Sequence, residues 1–152
     1  MLNRLALLLL LSLAPGAGTL LAHDHGPSAI EIVQPWAPAM TGQDPQLVYL
    51  TIRNRGNVPD RLMRALSPVA TKVELHAAGS GESEPKAVAG LSIAAGQDLV
   101  LDPSGPHLAM VGLKRTLLEN QTFKLALEFD GAGRIVVDVV VGPPAPSQPH
   151  RH

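Results

Sequence analysis

The stretch NQTFKLALEFDGAGRIVVDVVVG, residues 120–142, restricts the fold more than any other part of the chain. Leu125, Leu127 and Phe129 fall on every second position, the side-chain period of a β-strand rather than of a helix. Asp130–Gly131 then begins a turn, and RIVVDVVVG follows as the returning strand, so the segment reads as a hairpin. The same grammar runs through the chain. IEIVQPW (30–36) alternates until Pro35, which suits an edge strand or its end. QLVYLTIRNRG (46–56) is the clearest strand, closed by Asn54 and Gly56. RLMRALSP (61–68), TKVELHA (71–77), a weaker AVAGLSIAAG (87–96) and QDLVLDPSG (97–105) complete the set. PHLAMVGLK (106–114) is read as a turn between strands, and a helical turn around residues 115–119 is the only helix expected. Sheets with one apolar face must pack that face on another sheet. Seven or eight short strands therefore predict an all-β Greek-key β-sandwich or barrel.

The first residues are of another kind. One arginine precedes a largely leucine run from Leu5 to Ala14, and small residues follow, the pattern of a secretory signal. The run is too short to span a bilayer, which takes about 20 apolar residues. The expected cut is after Ala22, with Ala17 as the alternative, so the protein has no stable membrane span after cleavage; a run that stays attached would tether it to the membrane. The domain reading is a signal peptide over 1–22, a histidine-containing amino terminus over 23–28, a β-sandwich over 29–142 and a disordered Pro/His tail over 143–152. PPAPSQPHRH carries no core-forming residue.

Composition removes several functions. The chain has no cysteine, which excludes disulfides, thiolate metal sites and thiol nucleophiles, and leaves no residue to carry a lipid anchor. A formal charge of −1 with no basic block argues against nucleic acid. One Trp, one Tyr and two Phe are too few for a stacking platform for bases or sugars. No HExxH, GxGxxG, P-loop or nucleophile elbow is present, so no catalytic residue is assigned.

Histidine and methionine are left. His76 closes TKVELHA and His107 follows DPSGP, and residues at the ends of neighbouring strands can converge. Met110 adds a thioether, a ligand suited to copper(I). The plainer readings are a core methionine, a turn or surface histidine at 107 and an exposed strand-end histidine at 76. At the amino terminus, cleavage before His23 would leave His23–Asp24–His25 free to wrap copper(II) in nitrogen ligands, either through amine, amides and the His25 ring or through the amine and ring of His23. His150 and His152 offer two more imidazoles in the tail, although both ends could equally be plain solvated chain.

IVQPWAPA (32–39), VYLTIRNRG (48–56), DRL (60–62), VELH (73–76), IAAG (93–96) and PHLAMVGLK followed by FKLALEF resemble the periplasmic copper chaperone family called PCu(A)C. The resemblance covers nearly the whole exported domain. It implies a cupredoxin-like β-sandwich that binds copper(I) through two histidines and two methionines and delivers it to the copper centre of cytochrome oxidase. Carried over, the family's histidines fall on His76 and His107. Its first methionine falls near Pro85, beside Lys86, and its second on Ala109, so neither thioether is present. The position of Met110 is a bulky apolar residue in the family, and the methionine often found next is here Val111. In an extended strand Ala109 shares a face with His107 while Met110 points away, unless a bulge turns it. Met40 and Met63 are read as packing residues. Two imidazoles alone accept copper(II) or zinc as readily as copper(I).

The leading expectation is thus an exported, periplasmic copper-binding protein, not an enzyme. Its metal residues are His76, His107 and Met110, with His23, His25, His150 and His152 at the ends. Its partner is a cytochrome oxidase subunit or another exported copper carrier. The alternative is a metal-independent β-sandwich module for assembly or interaction in the cell envelope.

Overall fold

A computed structural model describes residues 29–39, 45–79 and 84–143. Ten strands follow one another: β1 (Ile30–Pro38), β2 (Gln46–Asn54), β3 (Asp60–Leu66), β4 (Ala70–Ala77), β5 (Lys86–Val88), β6 (Leu91–Ile93), β7 (Asp98–Leu101), β8 (His107–Leu113), β9 (Thr122–Phe129) and β10 (Gly133–Gly142). Neighbours run β4–β8–β2–β1–β10–β9–β3, and β3 pairs back with β4 through Ala65 and Val73. That last contact closes the seven long strands into a ring, so the all-β Greek-key fold that the alternation predicts, and that the resemblance makes cupredoxin-like, takes a barrel form. The short strands β5, β6 and β7 add to β4, β3 and β2.

Alternation sets the core. Phe123, Leu125, Leu127 and Phe129 of β9 are all buried, and Val139 and Val141 join them from β10. Val136 and Val140, one residue out of phase, are about half exposed at 54% and 50%. The hairpin between β9 and β10 turns through Asp130, Gly131 and Ala132 into Gly133, whose φ of +74° is a left-handed value that glycine takes without steric cost. Asp60, at the start of β3, fixes that hairpin from outside. Its carboxylate accepts from the amides of Arg61, Gly131 and Ala132 at 2.7, 2.8 and 2.9 Å. Asn54 does the same for the next loop: its Nδ2 donates to the Val58 carbonyl at 2.8 Å and its Oδ1 accepts from Gly56 at 3.0 Å.

Three sequence expectations are corrected. Residues 30–36 do not form an edge strand, because β1 lies between β2 and β10. Proline is accommodated by an irregularity: the register against β2 jumps from Val33 to Trp36, and Gln34 takes φ +48°. Pro35 therefore falls where no ladder N–H is required. The run PHLAMVGLK is a strand over 107–113, not a turn. Residues 115–119 contain no helix. No helix among the described residues is long and apolar enough to cross a membrane.

Candidate metal centre

β4 and β8 run antiparallel in one unbroken register, in which His76 faces His107, Glu74 faces Ala109 and Val73 faces Met110. The thirty-one positions between the histidines thus reduce to one cross-strand step. Their ring centroids lie 5.2 Å apart, with planes tilted by 38°. An imidazole nitrogen about 2.0–2.1 Å from an ion, plus roughly 1.1 Å to the ring centre, sets each centroid about 3.2 Å from the metal. Two such rings spaced 5.2 Å apart subtend about 109°, close to a tetrahedral angle. The spacing of the pair suits one small cation.

Each ring also has one nitrogen committed. His107 Nδ1 donates to the Gly105 carbonyl at 3.1 Å, which leaves Nε2 with the lone pair. His76 Nε2 lies 3.1 Å from Glu74 Oε2, and an ionised carboxylate can only accept, so the free lone pair is on Nδ1. Lys72, two residues before Glu74, approaches its other oxygen to 2.6 Å. That contact, and then His76, hold the Glu74 carboxyl below the usual carboxylate range. Carboxylates that orient a metal-binding ring from its far nitrogen are a recurrent device. Lys72, Glu74 and His76 share one face because they occupy alternate positions on one strand. The signal for this glutamate lies in the spacing of KVELH.

The pair is less open than strand-end histidines were expected to be. His107 is 7% exposed, and the His76 side chain 18%. Met110 does not join them. It is fully buried in the apolar core with Leu108, on the opposite side of β8 from His107, and β8 has no bulge to turn it outward. Its assignment as a third ligand is corrected to packing. Ala109, which shares a face with His107, is buried and supplies no donor. Met63 is on β3 at 44% exposure, and Met40 lies outside the described residues, as do His23, His25, His150 and His152. Among the described residues, no three histidines or carboxylates are arranged around one cation.

Across the sheet from the pair stands an aromatic contact. Trp36 faces Tyr49 across β1 and β2, with ring centroids 5.0 Å apart and planes at 45°. Burial, and then the charge of Asp102, push the Tyr49 hydroxyl above its usual range.

Residues 30–141 match the family described as "Putative lipoprotein LpqE-like". A curated relative, "Putative lipoprotein Lxx21020" of Leifsonia xyli subsp. xyli, is 27% identical over 115 residues, covering 74% of this chain and 69% of its own. Among solved structures, the copper-bound PCuAC domain of PmoF2 superposes with a TM-score of 0.68 at 23% identity, covering 76% of this chain and 94% of that domain. The copper(I) form of DR1885 from Deinococcus radiodurans gives 0.63 at 24%, covering 80% and 81%. The barrel is therefore the PCuAC fold.

Proposed function

The chain belongs to the LpqE-like family, and we propose that it is an exported copper-binding protein which holds one copper ion between His76 and His107 and passes it to another envelope cuproprotein. The observation that carries this reading is the pairing of the two rings, 5.2 Å apart, each with a single nitrogen left to bind. The work is ligand exchange without turnover. Two ligands on a rigid barrel grip an ion loosely, and a partner with more or better donors takes it. Without a thioether the pair has no strong preference for copper(I) over copper(II), so the same site would serve either state. The copper-bound PmoF2 domain and copper(I) DR1885 share the fold, which supports copper as the cargo. The recipient in this reading is a cytochrome oxidase subunit or another exported copper carrier. A location outside the cytoplasm, the periplasm in particular, fits the leucine-rich leader and the lipoprotein names of the relatives. The sequence itself has no cysteine to take a lipid.

Copper titration of the processed protein tests the proposal. One equivalent should bind and be lost in both His76→Ala and His107→Ala, with the fold kept by circular dichroism. Equal uptake by wild type and the double variant would overturn it. One observation favours a metal-independent interaction module instead: the face beside His107 offers a buried alanine where a donor would complete the site. In that case wild type itself takes up no stoichiometric copper.

A further inference from the structure

Copper transfer leaves a groove of about 370 Å³ unexplained where β1 meets β10. Gln34, Pro35 and Trp36 form one wall, and Val140, Gly142 and Pro143 the other. Only Gln34 brings a polar side chain. β1 and β10 pair over Trp36–Pro38 alone, and the groove spans that pairing, from Gln34 before it to Pro143 after it. Its volume is near the small end of the roughly 300–1,000 Å³ typical of ligand pockets, enough for a few side chains.

We propose that this groove is the seat of the chain's own proline-rich tail, residues 144–152. The tail leaves from the groove itself, since Pro143 is part of the wall, and nine further residues follow, PAPSQPHRH. Three of them are proline: Pro144, Pro146 and Pro149. Clefts built from an aromatic ring and apolar neighbours bind polyproline-type segments, because such a segment is extended before it binds and loses little entropy. A tether of a few residues gives an effective concentration in the millimolar range, so the tail fills a weak groove ahead of any free peptide.

Trp36 is the chain's only tryptophan and reports on the groove directly. Emission and acrylamide quenching are measured with a metal chelator present, so failure of the copper reading does not affect the result. The full exported chain is compared with one ending at Pro143 and with one in which Pro144, Pro146 and Pro149 are serine. Both variants should show a red shift and stronger quenching, independent of protein concentration. The peptide PAPSQPHRH, added at millimolar concentration to the truncated chain, should reverse them. Unchanged emission and quenching in both variants would overturn the proposal. So would differences that appear only as the protein is concentrated, which would make a second copy the occupant.

Discussion

Met110 separates a copper ligand from a packing residue, and the two roles respond oppositely to substitution. The side chain is fully buried beside Leu108, and its strand is locked between β2 and β4. Met110→Ala deletes three heavy atoms from a closed barrel that has little freedom to collapse. Large-to-small changes of this kind cost about 2–5 kcal/mol. A value near 3 kcal/mol is expected, since β8 is held on both sides. For a domain slightly above 100 residues, each kcal/mol moves Tm by about 4 °C, so a loss of roughly 12 °C follows. Met110→Leu keeps the volume and should cost less than about 1.5 kcal/mol, or some 6 °C at most. Neither variant should change copper stoichiometry at a temperature where it is folded. The assay is a thermal melt by circular dichroism paired with copper titration. A leucine variant that melts normally but loses its copper would refute the packing assignment. So would an alanine variant that melts with wild type.

Three further outcomes are expected. Asp60→Ala removes the acceptor for three backbone amides, so chemical denaturation should register a loss of about 2 kcal/mol, with Asp60→Asn recovering part of it. Tyr49 is the only tyrosine, and its absorbance titration should have a midpoint above 10; because the folded group is held neutral, stability should fall as pH rises past the unfolded value near 10, and Asp102→Asn should lower the midpoint. Glu74→Leu removes the acceptor that holds the His76 proton on Nε2, so the ring ¹⁵N shifts should move toward a mixture of tautomers while His107 keeps its own.

Much of the barrel was readable because a period of two is hard to mistake when each strand is bounded by Gly, Pro or Asn. β2, β4 and the β9–β10 hairpin match the alternating runs almost residue for residue. The failures have separate physical causes. In sequence β1 reads as an edge strand or its end because proline cannot donate to a ladder, and nothing local announces the bulge at Gln34 that removes the demand. In sequence β8 reads as a turn because its flanks, DPSGP and a following glycine, are turn residues. Gly112 instead serves a close approach at φ +68°, where an added Cβ would meet Thr71 Oγ1 at 2.6 Å. The facing of His76 and His107 depended on register between distant strands, which no single segment encodes. The opposite direction of Met110 followed from alternation once β8 was a strand. The Glu74 contact was legible in the spacing of KVELH, whereas the Trp36 groove depends on β10 lying beside β1.

That parallel pairing of the first and last strands also governs how the molecule can be held. Because β1 and β10 point the same way, the chain comes into the barrel at Ile30 and leaves it at Gly142 on opposite rims. Most small domains bring their two ends close together. Here they are separated by the length of a strand, eight or nine residues and so close to 30 Å. A support gripping the polypeptide ahead of residue 30 would present the Gly142 rim outward, while joining the two ends into a circle would require a connector long enough to run the full height of the barrel.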